Sequence, residues 1–175
     1  MDDKIGLKRG TVILKNHHQE WAEEFESEKN FLKNLLGDVI IDIQHIGSTA
    51  VPELIAKPII DMLMAVKSLK DISGFKSLLE NTGYQFRENG SNDLKVLFVK
   101  GPEERRTHYL HITELGSSVW HDDLAFRDYL RTHPAAVSEY QKIKENLASL
   151  YTDRREEYTK GKNEFINSIL DKANN

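Results

Sequence analysis

The residues best placed to do chemistry are Gly47, Ser48 and Thr49, followed thirteen positions after Ser48 by Asp61. A Gly-Ser turn presents backbone N–H groups and a hydroxyl, donors that suit a phosphate, and a carboxylate on a neighbouring strand suits the divalent ion a phosphate brings. Gly and Ser are also ordinary turn residues, so a turn alone would account for the pair. Asp61 asks for more. It interrupts the apolar run Ile59-Ile60-Asp61-Met62-Leu63-Met64-Ala65-Val66, and an unpaired carboxylate buried in such a strand costs several kcal/mol. It must therefore reach a pocket, a cation or a hydrogen-bond partner. Lys57, the nearest basic residue, either pairs with Asp61 in a helix–strand joint or contacts the phosphate.

A second cluster is Arg105-Arg106-Thr107-His108-Tyr109-Leu110-His111-Ile112. On a strand, Thr107, Tyr109, His111 and Thr113 share one face, and His108, Leu110 and Ile112 share the other. His111 stands on the polar, aromatic face and is the candidate metal ligand, general acid/base or phosphate contact; His108 has apolar neighbours. Arg106 is the candidate phosphate clamp of the Arg105-Arg106 pair, the alternative being a solvated loop. Farther on, Arg127 and Arg131 are four apart, on one helical face. With Tyr140, Lys142 and Lys144 they either reach a nucleotide or line the surface. His17, His18 and His121 lack companions at useful spacing. The chain has no P-loop, no dinucleotide-binding G-x-G-x-x-G, no H-E-x-x-H and no G-x-S-x-G, which argues against P-loop kinases, Rossmann dehydrogenases, zincins and esterases.

These residues need elements to hold them. Trp21, Phe25, Leu32 and Leu36 form one stripe of a helix over 19–36 that Gly37 can end. Residues 39–46 read as a strand and 50–57 as about two helical turns, with Pro58 forcing an extended start to a central strand over 58–66. A helix over about 71–82 is followed by strands at 84–87, 94–100 and 107–114, the first two joined through Asn89-Gly90 and the last two through Gly101-Pro102. The rest predicts helices over 122–132, 135–151 and about 153–173, with Gly161 a weak spot in the last. The class is α+β, a sheet packed under helices, in one domain of residues 1–175, with its sheet core at about 38–114 and its helical part at about 120–173.

With 175 residues, 39% hydrophobic and 30% charged, the chain is long enough for a single compact core. It contains no Cys, which removes disulfides, thiolate nucleophiles and zinc fingers and leaves O and N donors for any metal. Twenty-four basic residues against 28 acidic ones give a net charge of -4, so stable nucleic-acid binding is not expected. Met1-Asp2-Asp3-Lys4 lacks the layout of a signal peptide, and no apolar run approaches the roughly 20 residues a membrane span needs, so a cytoplasmic protein with no membrane partner is expected.

The run from His45 to Asp61, HIGSTAVPELIAKPIID, resembles the signature of the GrpB-like proteins, a family placed in the nucleotidyltransferase superfamily. Leu110-His111-Ile112, the run from Phe126 to Arg131 with His133-Pro134, Tyr140 with Lys144 and Leu147-Ala148, and Tyr158 with Lys162 and Phe165-Ile166 are similar to the same pattern. The resemblance covers about Trp21 to Ala173. It implies the nucleotidyltransferase fold, a small mixed sheet flanked by helices, with Gly47 and Ser48 on the phosphates and Asp61 as first ligand of a divalent metal, Mg²⁺ or Mn²⁺. In that superfamily the acid pair continues two residues on, where this chain has Leu63, and its third acid stands where His111 falls. Glu53 and Tyr109 depart from the family pattern, which has Gly and often His there. The same domain is found fused to dephospho-coenzyme A kinase in some bacteria.

Three readings follow. In the first, the chain transfers a nucleotidyl or phosphoryl group from a nucleotide with a divalent metal on Asp61 and His111, mixed N/O ligation favouring Mn²⁺, Fe²⁺ or Zn²⁺ over Mg²⁺, while Gly47, Ser48, Thr49, Lys57 and the arginines hold the nucleotide. In the second it binds a nucleotide or phosphorylated small molecule without turnover, the reading Leu63 favours. In the third, Asp61 only pairs with Lys57.

Overall fold

The computed structural model describes residues 4–174, so Met1-Asp2-Asp3, read above for a targeting signal, lie outside the described residues. The first helix, α1 (Glu20–Leu36), buries Trp21, Phe25, Leu32 and Leu36 on one stripe. Strands β1 (Asp42–Ile46) and β2 (Ile60–Val66) follow, then α2 (Ile72–Asn81) and the strands β3 (Tyr84–Asn92), β4 (Lys95–Lys100) and β5 (His108–Glu114). The chain ends in four helices: α3 (Ser118–Thr132), α4 (Pro134–Leu150), α5 (Arg155–Lys160) and α6 (Asn163–Ala173). The five strands form one mixed sheet in the order β1-β2-β5-β4-β3, in which only β2 and β5 run parallel. No helix among the described residues is long and apolar enough to cross a membrane.

β2 lies inside the sheet and is covered on both faces, which is why its sequence is nearly all apolar. Ile60, Met62, Met64 and Val66 pack with Phe98, Leu110 and Ile112 against α1 and α2 in the main core. Each such side chain contributes about 1.5–3 kcal/mol on burial. On the other face, Leu63 and Ala65 meet Ile46 of β1 and Trp120 of α3. Asp61 shares that second face, and the parallel register sets it opposite Tyr109 and sets Leu63 opposite His111. Glu28, buried on α1, accepts from Tyr84 Oη at 2.8 Å and from Lys100 Nζ at 2.7 Å, pinning the helix to the far side of the sheet.

Three local expectations give way. Residues 50–57 do not form a helix: only 48–50 make a 3₁₀ turn, Val51 is extended, and Glu53 sits at φ 65°, a left-handed conformation no α-helix accepts. Asn89-Gly90 is not the β3–β4 turn but lies where the register shifts between Arg87 and Asn92, and the chain reverses at Asp93-Leu94. The last helix is two, broken at Gly161, where a Cβ would come within 2.5 Å of the Leu147 side chain on α4. The N-terminal segment straps the two parts together: Gly6 N donates to Pro58 O at 2.7 Å, Lys15 N to Ala56 O at 2.8 Å, and Val12 N to Thr152 O at 2.7 Å.

Candidate functional site

Where the Asp61 face of the sheet passes beyond Trp120, it is not packed solid. A cleft of about 370 Å³ lies between it and the C-terminal helices. Asp61, Tyr109 and His111 line it from the sheet, and Gly47, Ser48 and Thr49 from the turn after β1. Gly47 is required by two facts at once: its φ is 68°, and a Cβ there would stand 2.8 Å from Asp61 Oδ2. The turn thus presses its backbone against the carboxylate. Thr49 is buried, with its hydroxyl 2.9 Å from His45 Nε2.

Asp61 is paired with His111 rather than with Lys57: Nε2 of the imidazole is 3.6 Å from Oδ1, with the two side chains 17% and 31% exposed. Burial pushes the Asp61 carboxyl up, but His111, then Lys57 and Lys162, outweigh it and hold the group below the ordinary carboxylate value. The other ring nitrogen, His111 Nδ1, is buried without a hydrogen-bond partner. Asp123, also in the cleft, moves the other way, raised by burial with Asp61 and Asp122 adding to it against His111.

The C-terminal helices bring cations. Lys144 of α4 and Lys162, at the α5–α6 joint, line the cleft together with Lys57. The Lys144 ammonium donates to the Ile55 carbonyl. Lys57 and Lys162 both lie over the Tyr158 ring, at 5.4 and 4.8 Å. Burial and then repulsion from Lys162 and Arg155 lower Lys57 to about 7. Burial and the other two lysines put Lys144 well below its ordinary value. Lys162 is lowered as well, by burial against the pull of Asp61. Tyr158 is fully buried, yet its hydroxyl has no hydrogen-bond partner. Tyr140, stacked on Phe165 at 4.7 Å, stands beside Ser48.

Gly47, Ser48, Thr49, Lys57, Asp61 and His111 therefore line one cleft, and Arg106, Arg127 and Arg131 do not. Arg127 is buried and donates to Gln44 Oε1 at 2.9 Å and to the His45 carbonyl at 3.0 Å, tying α3 to β1. Arg131 donates to the Ala50 carbonyl at 2.9 Å. Arg106 lies outside the cleft, 1% exposed, bonded to the Gly101 carbonyl. His108 is buried on the opposite face, its Nε2 3.5 Å from Glu24. Sequence reasoning missed Lys162, Tyr158, Asp123 and Arg155 as site residues and left Lys144 between cleft and surface. A signal existed for two of them. Lys144 falls within the apolar stripe Val137-Tyr140-Leu147, and Lys162 within Tyr158-Phe165-Ile169, so both point inward by helical spacing.

The GrpB protein family pattern matches residues 11–172. The chain belongs to the GrpB family. It is 38% identical over 170 residues to the glutamate-rich protein GrpB of Alkalihalophilus pseudofirmus, covering 95% of this chain and 98% of that one. It is 42% identical over 163 residues to the YqkA protein of Bacillus subtilis, of which it spans only 46%. The crystal structure of conserved protein GrpB from Enterococcus faecalis superposes with a TM-score of 0.84 at 34% identity, over 92% of this chain and 96% of that one. Cid1 in complex with its short product ApU superposes with a TM-score of 0.53 at 11% identity, over 77% of this chain and 42% of that one, a likeness of fold alone. The fold of this GrpB protein is nucleotidyltransferase-like, a five-stranded mixed sheet flanked by helices.

The divalent pair that this fold implies finds few donors here. Among the described residues no group of three or more His, Asp or Glu is placed to hold a metal ion. Leu63, at the second acid position, is fully buried against apolar neighbours and offers none. Asp61 and His111 are the pair that meet, with Lys57 and Lys162 already acting on the carboxylate, while Asp122 and Asp123 line the cleft without completing a set of three. These residues do not fit a two-metal centre. What the GrpB cleft does offer an anion is lysine charge, a Gly-Ser backbone turn and an unpartnered tyrosine hydroxyl.

Proposed function

We propose that the GrpB cleft binds the phosphate of a nucleotide or another phosphorylated small molecule. One observation carries this: Lys57, Lys144 and Lys162 crowd into one cleft in which Lys162 depresses the ammonium of Lys57 and both depress that of Lys144, beside a buried Tyr158 hydroxyl with nothing to donate to. Asp61 pulls on all three ammonium groups without restoring them, and such a constellation is relieved by an oxyanion, which takes the tyrosine hydrogen bond and the lysine charges together. The Gly47-Ser48 turn supplies further donors. Two relatives support a nucleotide-type ligand: Cid1 has been solved with a UTP analogue, and the dephospho-CoA kinase of Mycobacterium leprae is 25% identical over 162 residues, this chain spanning 40% of it.

Whether a group is transferred turns on two features. Leu63 in place of an acid favours binding without metal-dependent transfer. The Asp61–His111 pair favours transfer, as an imidazole whose Nε2 faces the carboxylate and whose buried, unpartnered Nδ1 would take the proton of an acceptor hydroxyl that reaches it. Asp61→Asn separates the roles. With lysines as the phosphate ligands, removing this negative charge leaves binding of ATP, UTP or a coenzyme A precursor equal or tighter by calorimetry, in chelator as in Mg²⁺ or Mn²⁺, and it abolishes any turnover. If Asp61 instead holds a metal through which phosphate binds, the same variant loses affinity and the wild type loses it in chelator. Binding that survives Lys162→Ala unchanged would sink the lysine reading.

A further inference from the structure

A second groove of about 600 Å³ adjoins the cleft and shares Leu97, Tyr109, Arg155 and Thr159 with it. Arg155 forms the wall between them, its guanidinium donating to Tyr109 Oη at 2.7 Å and to the Thr11 carbonyl at 2.9 Å. The charge of the groove is guanidinium rather than ammonium. Arg9 from the N-terminal strap, Arg87 from β3 and Arg106 ahead of β5 all converge on one atom, Glu103 Oε1, at 2.6, 3.4 and 3.7 Å. Glu88 and Glu156 also line the groove, Glu156 being held by Lys160 at 2.8 Å. Three guanidinium groups on a single carboxylate leave positive charge in excess, and arginine forks are the geometry that takes phosphate or carboxylate in two-pronged fashion.

Arg106 is the member that asks for a ligand. It is 1% exposed, one of its terminal nitrogens is taken by the Gly101 carbonyl, and the other is buried with no hydrogen-bond partner. Glu103 does not satisfy it, standing at ion-pair distance only. Glu103 is also the part easiest to move: its side chain is 56% exposed, on the loop between β4 and β5, outside the core clusters. A carboxylate of the chain's own is paired with these arginines, as a stand-in for an oxyanion.

We propose that this groove is a second oxyanion subsite, in which the phosphate or carboxylate of a co-substrate displaces Glu103 from Arg9, Arg87 and Arg106 beside the phosphate cleft. The co-substrate role rests on the cleft binding the first phosphate; the anion site itself does not. The test is a titration with inorganic phosphate, and in a second arm with succinate, followed by backbone-amide NMR shifts. The amides of Gly47 and Ser48 report the cleft, and those of Arg87, Glu103 and Thr107 report the groove. Glu103→Gln should tighten phosphate at the groove amides by about tenfold, since it removes the competing charge, and Arg87→Ala should weaken it by a similar factor. Lys162→Ala should weaken only the cleft. The succinate arm distinguishes the anion: shifts at the groove with both probes mean any oxyanion, with phosphate alone a phosphoryl group, and with succinate alone a carboxylate. The proposal is overturned if neither probe shifts the groove amides in Glu103→Gln, or if Arg87→Ala leaves their affinity unchanged. Loss of the cleft shifts alone overturns the other reading and leaves this one standing.

Discussion

An oxyanion entering the lysine cleft should carry a proton in with it. In the ligand-free protein Lys57 titrates at about 7 instead of 10.5, because burial and then the charges of Lys162 and Arg155 disfavour its ammonium, with Asp61 the opposing pull. At pH 8 it is then about one-tenth protonated. A dianion in the cleft reverses the balance of charge; raising this group by two units corresponds to about 2.7 kcal/mol of favourable interaction. Lys57 alone would then take up about 0.8 proton per anion at pH 8, and through it affinity would fall more than tenfold between pH 7 and pH 9. Sulfate is the probe of choice, since it carries no titrating proton of its own in that range. Calorimetry in two buffers of unequal ionisation enthalpy, Tris and HEPES, reads the uptake directly, and Lys57→Met should remove the share of Lys57, leaving that of Lys144 and Lys162. Zero uptake, proton release, or unchanged uptake in Lys57→Met would refute the reasoning.

The same group fixes the sign of a stability effect. Unfolded, Lys57 keeps its proton up to about 10.5, while folded it loses it at about 7, so between those values the unfolded chain binds more protons and stability rises with pH. Lys144 and Lys162 are shifted in the same direction and add to the slope. Tyr84, Tyr140 and Tyr158 are raised above their ordinary value by burial, so they oppose it only above about pH 10, where free tyrosine ionises. Melting temperature should therefore climb from pH 7 to 9 without ligand, and saturating sulfate should flatten the climb.

Three further outcomes are expected. Gly47→Ala places a Cβ at φ 68° and 2.8 Å from Asp61 Oδ2; it should cost about 1–2 kcal/mol in urea unfolding and lower cleft affinity by moving the carboxylate and the turn. Glu53→Gly should stabilise by about 0.5–1 kcal/mol, because Glu53 holds φ 65° at a strain exceeding glycine's extra unfolded-state entropy; a lower urea midpoint would count against a left-handed turn there. Arg127→Ala should cost about 2–4 kcal/mol, since it strands Gln44 and the buried His45 carbonyl, while the folded fraction keeps wild-type anion affinity; an affinity loss in fully folded variant would return Arg127 to the site.

The elements that were legible in the sequence are those whose signal is local. α1 shows itself by an apolar stripe ended by Gly37, β2 by a run too apolar for anything but a strand covered on both faces, and the Gly47–Asp61 pairing by a tight turn at the end of one strand with a lone carboxylate inside the next. The helix expected over 50–57 failed because Glu53 holds a left-handed conformation that its residue type disfavours, a choice made by the packing of Val51 and Leu54 under α4 and α6 rather than by propensity. The arginines misled for a related reason: Arg127 and Arg131 do share a helix face, but that face meets the backbone of β1 and of the turn after it. The lysines were hidden by distance along the chain. Yet Lys144, Lys162 and Asp61 carry one signature, a charge set where an apolar side chain would continue the stripe or strand. Each such interruption is costly alone. Three of them facing one cleft satisfy one another only in part, since two are cations and one an anion, and the charge left over is what an oxyanion would neutralise.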